Sequence, residues 1–171
     1  PFYMEAQRID ADDFTLRRIS QCYYQLGDYH NALTNIQQAI DLDSTKVQYI
    51  PFKADILYEM GNSKAAIAEW DKHQVLYPEY GFGYYRRGWF KSLSGDEEGA
   101  IEDYNMCIAL EPDASYAFAS RGDAYSRLGK SEAAKADFLK VIEIEDTPEK
   151  YEFIHYAYQG LGDNEKAIEA I

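Results

Sequence analysis

The sequence predicts an all-α protein built from antiparallel helical hairpins, and three recurring residue types carry that prediction. Glycine stands at positions 27, 61, 95, 129 and 162, at spacings of 34, 34, 34 and 33 residues. An alanine stands five residues after each glycine, and a large apolar residue stands nine after it. A fixed period of this length is typical of a repeat architecture in which each unit is one supersecondary element.

Each period reads as two helices. The glycine suits the left-handed residue that ends the first helix, where other residues carry a steric cost. The small alanine lets two helix backbones approach closely, and the large apolar residue fills the space between hairpins. The hairpins are predicted to end at Ser44, Pro78, Pro112 and Asp146, and proline in particular cannot continue a helix.

The period also predicts the repeat boundaries and the character of both ends. Residues 1–12 are expected to end the second helix of a preceding repeat, because Tyr3, Ala6 and Ile9 share one helical face. We expect a section of a longer protein, or ends that meet other chains, because no polar capping unit is evident. The predicted repeats are 13–46, 47–80, 81–114 and 115–147, followed by 148–171, which stops inside its second helix.

Pro51 departs from the pattern. It falls where the first helix of the second repeat should already be under way, and proline is comfortable only in a first turn. That helix is therefore expected either to begin late, around Tyr49, or to be kinked.

Charged residues eight before and eight after a turn glycine vary together. Where the first position holds Ile19 or Ile154, the second is uncharged. We expect ion pairs that tie the two helices of a hairpin, and a surface pair of this kind would contribute only ~0–1 kcal/mol. The predicted pairs are Lys53–Glu69, Arg87–Asp103 and Arg121–Asp137.

The cysteines and histidines do not predict a reactive site. Cys22 and Cys107 are too few for a disulfide framework and are expected to be free thiols in packed helices. His73 takes a small apolar position and should be packed or half-buried. His155 stands where other repeats have Ser, Ala or Gly, and should loosen the last hairpin. A Cys22–His30 pair is too separated along the chain to be a persuasive nucleophile constellation.

Composition restricts the possible partners. The net charge of −13 argues against general nucleic-acid binding, which needs a basic surface, and against anionic membranes. No apolar run approaches the ~20 residues of a membrane-spanning helix. We find no phosphate-binding glycine loop and no metal-ligand spacing, so neither a cofactor nor a metal is predicted. The thiols slightly favour a cytoplasmic location, although the compartment stays open.

The motifs resemble the tetratricopeptide repeat family. The resemblance is carried by Tyr23…Gly27-Asp28-Tyr29…Ala32…Ala39 and by Tyr125…Gly129…Ala134…Phe138, and it extends over nearly the whole chain. It implies an α-α superhelix, a right-handed solenoid of antiparallel hairpins. It also implies that first helices line a concave groove and that peptides bind along it.

The stripe facing that groove can be read at helical spacing before each glycine. It is rich in aromatic residues and arginine, which are the usual hot-spot residues of interfaces. Its arginines stand toward the N-terminal half, whereas Asp123, Glu149 and Glu152 stand toward the C-terminal half. The candidate groove residues are Phe14, Arg17, Arg18, Gln21, Phe52, Asp55, Phe82, Tyr85, Arg86, Trp89, Tyr116, Asp123, Phe153 and Tyr156.

One specialised function of the family can be tested on these residues. Family members that bind chaperone tails carry a carboxylate clamp of Lys, Asn and Arg. The corresponding residues here are Arg17, Gln21, Phe52, Phe82 and Arg86, and the two phenylalanines break the clamp. A chaperone co-factor role is therefore not expected.

Two functions remain open at this point. The first is a non-catalytic scaffold that binds an unidentified protein or peptide segment in the groove. The second is an assembly module that stacks, or self-associates, through its uncapped ends while the groove stays empty. An enzyme is not predicted.

Overall fold

The computed structural model describes residues 11–144 and 151–169, and every regular element in those ranges is a helix. The predicted all-α class of packed helical hairpins is therefore confirmed. The α-helices are α1 (Asp13–Gln25), α2 (Tyr29–Leu42), α3 (Ile50–Glu59), α4 (Ser63–Leu76), α5 (Gly81–Leu93), α6 (Glu97–Leu110), α7 (Ser115–Arg127), α8 (Ser131–Ile144), α9 (Tyr151–Gly160) and α10 (Asn164–Glu169), and a 3₁₀ turn spans Val47–Tyr49. The helix expected within residues 1–12 falls almost wholly outside the described residues.

The chain divides into two compact units, residues 1–75 and 76–171. The first unit contains α1, α2, α3 and all of α4 except its last residue, Leu76. The second unit begins at Leu76 and contains α5 to α10. Each is described by itself. In the second unit α5 packs on α6, α6 on α7, α7 on α8 and α8 on α9, and the first helices of successive hairpins also touch: α5 meets α7, and α7 meets α9.

The turn glycines have the predicted backbone conformation. Their φ angles lie between 71° and 85°, and within the described residues no other residue type has a positive φ. Two reverse hydrogen bonds close the turn after α1: Asp28 donates to the Tyr23 carbonyl at 2.9 Å, and Gly27 donates to that of Tyr24 at 3.0 Å. This pair of bonds is the Schellman motif, which needs a left-handed residue at the glycine position.

The residue after the turn glycine usually caps the second helix. Asp28, Asn62, Asp96 and Asp163 each accept the backbone N–H three residues on, at 3.0 to 3.2 Å. A side-chain oxygen at this position satisfies one of the helix's unpaired N–H groups. At the start of α8 the residue is Lys130, which has no oxygen to offer.

The repeating alanines and large apolar residues form the cores of both units, as predicted. All five alanines are buried, between 0% and 4% exposed. The large residues nine after the glycines are equally enclosed, except that Ile171 lies outside the described residues. The buried ones are Ile36, Trp70, Tyr104 and Phe138, each at most 1% exposed.

The three predicted ion pairs are present. Lys53 Nζ lies 2.8 Å from Glu69 Oε1, and Arg121 donates from Nε and Nη2 to Asp137 at 2.8 and 2.7 Å. The guanidinium of Arg87 makes the same two-pronged contact with Asp103. The carboxylates are at most 7% exposed, so these are not surface pairs, and loss of one partner would leave a buried charge.

Pro51 is accommodated by a late helix start, one of the two predicted outcomes. The 3₁₀ turn Val47–Tyr49 precedes α3, and proline falls in the first turn of α3. The missing N–H of proline costs nothing there.

Histidine and cysteine positions are partly as expected. His73 is buried, as is the free thiol of Cys107, but Cys22 is exposed rather than packed. His155, which was expected to loosen the last hairpin, has its Nδ1 2.7 Å from the carbonyl oxygen of Ala167 and can donate to it, which links the two helices of that hairpin. Ser20 Oγ makes the equivalent bond in the first hairpin, at 2.7 Å.

Candidate binding surface

In the first unit the predicted stripe lies along α1 and α3. Phe14 is 57% exposed, and Arg18 and Gln21 are also exposed. Arg17 is half-buried, close enough to the Tyr49 hydroxyl to interact electrostatically. Because Phe14 stands at the start of α1 with most of its ring in solvent, this end of the stripe has an accessible apolar side chain.

Phe52 and Asp55 extend the first unit's stripe onto α3, and both are half-buried. The Phe52 ring lies 5.5 Å from that of Tyr24 in an edge-on arrangement and packs against the hydrophobic core of this unit. Burial, together with the charges of Glu59 and Asp55, raises the pKa of Tyr24. Phe52 therefore has a structural task in addition to any binding role.

In the second unit three stripe residues form one cluster, which we call the aromatic platform: Phe82, Tyr85 and Tyr116. The Tyr85 and Tyr116 rings are 4.7 Å apart and steeply inclined to each other, and Phe82 lies 5.4 and 5.8 Å from them. Edge-to-face contacts of this kind are the favoured geometry for aromatic pairs. Phe82 keeps 38% of its surface exposed, and Tyr85 and Tyr116 are half-buried, so the platform remains accessible to solvent.

Glu111 holds the platform in place. It follows α6, and its Oε2 accepts a 2.6 Å hydrogen bond from the Tyr116 hydroxyl. Its Oε1 accepts the backbone N–H of Phe82 at 3.1 Å, which caps α5, a helix with no side-chain cap from Tyr80 at its N-cap position. Burial and the bond to Glu111 raise the pKa of Tyr116.

Arg86 and Trp89 lie one turn apart on α5. The Arg86 guanidinium carbon is 5.1 Å from the centroid of the Trp89 ring and 5.5 Å from that of Phe90. A guanidinium over an aromatic face is held by the ring quadrupole. Arg86 is therefore already engaged with rings of its own helix, and both it and Trp89 are half-buried.

Asp123 and Tyr156 connect α7 to α9. The Tyr156 hydroxyl donates to Asp123 Oδ2, while 40% of the Tyr156 surface stays exposed. Burial and the bond to Asp123 raise the pKa of Tyr156, and the nearby Tyr85 hydroxyl adds to that increase. Because α7 contacts both α5 and α9, this hydrogen-bonded pair lies on helices adjacent to the aromatic platform.

Arg127 joins three elements of the same surface. Its Nη1 donates to Ser92 Oγ at 2.6 Å and lies 3.1 Å from Glu97 Oε1, and its Nη2 lies 3.9 Å from Asp123. Carboxylates on two sides therefore neutralise this cation.

Phe153, another candidate groove residue, is half-buried and packs against the core cluster that contains Phe118 and Phe138. Glu149 lies outside the described residues. Sequence reasoning missed Glu111 and Arg127, because neither stands on a stripe position. Pro112 indicated that a helix ends near Glu111. That was the one signal in the sequence that the Glu111 side chain could extend from a helix end toward the start of another helix.

The described residues contain neither a metal-ligand cluster nor a membrane-spanning helix. No group of three or more His, Cys, Asp or Glu side chains within 11–144 and 151–169 is arranged to hold a metal ion. Among the same residues, no helix is long and apolar enough to span a bilayer.

Comparison with solved structures supports the hairpin architecture. The MamA protein aligns with 92% of this chain and 87% of its own at 22% identity, with a TM-score of 0.69. A thermophilic repeat protein from Thermus thermophilus gives 21% identity, the same coverage and a TM-score of 0.68. A MamA fragment from Desulfovibrio magneticus gives 18% identity over 92% of this chain and 90% of its own, with a TM-score of 0.69. At these identities the likeness is one of fold.

The family is established from sequence segments. None of the curated protein sequences matches the chain. The family model described as Tetratricopeptide repeat matches residues 18–46, 83–114 and 115–148, which together make up more than half of the chain. The protein therefore belongs to the tetratricopeptide repeat family.

Proposed function

We propose that this chain is a non-catalytic scaffold that binds an extended segment of a partner protein along the first helices of its hairpins. The family fold generally mediates protein–protein interaction. The observation that carries the proposal is the aromatic platform, where Phe82, Tyr85 and Tyr116 pack together yet remain partly exposed. Single exposed apolar residues are ordinary, whereas a contiguous cluster of rings is typical of an interaction site.

The platform also has the rigidity that a binding surface needs. Aromatic rings supply large contact areas at a small cost in conformational entropy. The Glu111 carboxylate fixes Tyr116 from one side and the start of α5 from the other. A surface held in one arrangement before binding loses less entropy when the partner arrives, so the same contacts give a higher affinity.

The test is selection of binding segments from a random peptide library displayed on phage. Selected peptides are then titrated against Phe82→Ala, Trp89→Ala and Arg86→Glu. Truncation of a hot-spot residue costs more than about 1 kcal/mol, so we expect affinities to fall about fivefold or more for Phe82→Ala. The matched controls are Met106→Ala and Leu139→Ala, which remove exposed apolar side chains from second helices.

Two results would reject this function. The first is selected peptides that bind all three stripe variants as tightly as the wild type. The second is an absence of selected peptides together with a molar mass that grows with concentration in light scattering. That second result would favour the assembly module, in which partners stack through the ends of the repeat array.

A further inference from the structure

The charges around the aromatic platform are mostly negative. Glu111 contacts Tyr116, and Asp123 contacts Tyr156 beside the platform. Glu97 is the third carboxylate on this surface, and Arg127, its neighbouring cation, is shared between Glu97 and Asp123. The guanidinium of Arg86 is directed at the rings of Trp89 and Phe90.

We propose that the aromatic platform takes a cationic side chain, an arginine or lysine in an extended basic segment of the partner; this inference rests on the function proposed above. A ring face carries partial negative charge, so a cation within about 6 Å of its centroid is attracted to it. Tyr116 reinforces this effect, because a phenol that donates to a carboxylate is polarised toward greater negative charge.

The whole chain agrees with this occupant. Its net charge of −13 attracts a basic segment and repels an acidic one, which favours fast association with partners of the first kind. An acidic side chain on the platform would also face the carboxylates of Glu111 and Asp123. A purely apolar anchor would gain contact area from the rings but nothing from the carboxylates.

The test uses an octapeptide with two adjacent arginines between glycine–serine flanks. Three matched peptides replace both arginines with citrulline, leucine or glutamate. All four are titrated at millimolar concentration into the wild-type protein and followed by NMR. We expect only the arginine peptide to bind well, with its side-chain δ-methylene protons shifted upfield, since ring currents shield protons held over an aromatic face.

Variants locate the interaction. Tyr85→Leu and Tyr116→Leu keep an apolar side chain but remove the ring, and each should lower the affinity for the arginine peptide about 5- to 20-fold. Glu143→Gln removes one negative charge from α8, at a side chain that is 70% exposed, and should change the affinity by less than about twofold. Circular dichroism checks that each variant is folded, and the upfield shift in the wild type is independent of any variant.

The outcomes separate this inference from the proposed function. Equal binding of the citrulline peptide, tighter binding of the glutamate peptide, or binding of the arginine peptide without an upfield shift would each overturn the cationic occupant. If only the leucine peptide binds, and Phe82→Ala weakens it, the scaffold function stands while the cationic preference is wrong. If none of the four peptides binds, the cationic preference is wrong, and the library selection alone decides the proposed function.

Discussion

At the residue scale, the position seven before each turn glycine sets how closely the two helices of a hairpin approach. A Cβ added to Gly88 would lie 2.9 Å from Cε1 of Tyr104 and 3.0 Å from the Ala100 carbonyl oxygen. Tyr104 is 1% exposed and cannot move aside. The residues at the equivalent position elsewhere are Ser20, Ala54, Gly122 and His155.

Gly88→Ala should therefore destabilise residues 76–171. Overpacking of this kind lowers the free energy of unfolding by about 1–3 kcal/mol. The better helix propensity of alanine offsets up to about 1 kcal/mol of that loss. We expect a net loss of about 1–2 kcal/mol in urea unfolding. Glu102→Ala, at an exposed site on α6, is the control and should stay within about 0.5 kcal/mol of the wild type. An unchanged unfolding midpoint for Gly88→Ala would contradict the close approach of α5 and α6.

The two thiols should differ sharply in reactivity. Burial raises the pKa of Cys107 to about 11, whereas Cys22 is exposed. Because the thiolate is the reactive form, a disulfide-exchange reagent at about pH 8 should titrate one thiol quickly in the native protein and both in denaturant. Cys22→Ser should abolish the fast phase, and persistence of that phase would show that Cys107 is accessible.

The raised pKa of the Cys107 thiol also makes the stability of the fold depend on pH. Its folded pKa lies above the ordinary value of 9.0, so its contribution to stability is fully present below that value. That contribution is lost as pH rises through about 11, the pKa in the folded protein. Alkaline unfolding should accordingly begin at higher pH in Cys107→Ala, provided that the smaller side chain leaves the hairpin folded.

At the element scale, α8 lacks the cap that the other second helices have. Lys130→Asp should supply it, and an N-cap oxygen stabilises a helix by about 0.5–2 kcal/mol. Lys130 Nζ lies 5.9 Å from the Tyr125 ring, so a small cation–π contribution is lost. We expect a net increase of about 1 kcal/mol and a higher Tm.

Lys135→Asp is the matched control for the cap. It makes the same charge change about one turn after Lys130, inside α8. The backbone N–H groups there are already bonded within the helix, so the new carboxylate cannot act as a cap. It should leave Tm unchanged or slightly lower. Equal effects of both substitutions would mean that net charge, rather than capping, is responsible.

The hairpin ion pairs should make acid stability depend on particular carboxylates. Burial alone would raise the pKa of Glu69, but the hydrogen bonds and charges of Lys53 and Lys72 outweigh it and lower the pKa. A depressed folded pKa gives stability that is present above the unfolded pKa, about 4.5, and is lost as pH falls through the folded value.

Glu69→Gln should therefore destabilise residues 1–75 at about pH 7 and flatten the pH dependence of their unfolding below about pH 5. Helicity measured against urea at several pH values checks this. Asp41→Asn, at an exposed position in the same unit, is the control and should keep the wild-type pH dependence. A wild-type slope in Glu69→Gln would mean that another carboxylate dominates acid unfolding.

At the scale of the whole molecule, the periodicity of the sequence predicts the contacts that recur in every hairpin, but it does not predict the contacts that occur only once. The turn at Gly27 and the burial of Ala32 follow from local backbone sterics and from close helix packing, which recur in every hairpin. The Arg121–Asp137 pair was predictable because charge varies together at two fixed distances from one glycine. These features depend only on the position of a residue within its own repeat.

The contacts that build the candidate surface depend on side chains crossing between repeats. Glu111 contacts both the start of α5 and Tyr116 on α7. Its position within the repeat does not predict these two contacts. Phe153 is half-buried and packs against a core cluster around Phe138, a contact that its register alone does not predict. Spacing therefore predicts the face on which a residue stands, whereas its neighbours decide whether that face is free.

The second unit should fold independently of the first. Residues 76–171 contain their own buried clusters, around Tyr104, Cys107 and Phe138, and the aromatic platform lies wholly within them. In repeat proteins, stability is approximately a sum of contributions from each repeat and from contacts between adjacent repeats. A fragment 76–171 contains complete α5–α6 and α7–α8 hairpins. We therefore expect it to be helical, to unfold cooperatively and to retain the affinity of the whole chain for the arginine octapeptide.

A second fragment, 95–171, tests whether intact hairpins are responsible. It begins at the turn glycine and leaves α6 without α5, which exposes the buried side of Tyr104 and removes the Arg87 partner of Asp103. We expect it to lose most of its helicity over residues 97–110 and to lose platform binding with Phe82 and Tyr85. Circular dichroism and the peptide titration distinguish the two fragments. An unfolded 76–171 fragment would show that its own cores are insufficient, and equal helicity per residue in both fragments would show that α6 needs no partner helix.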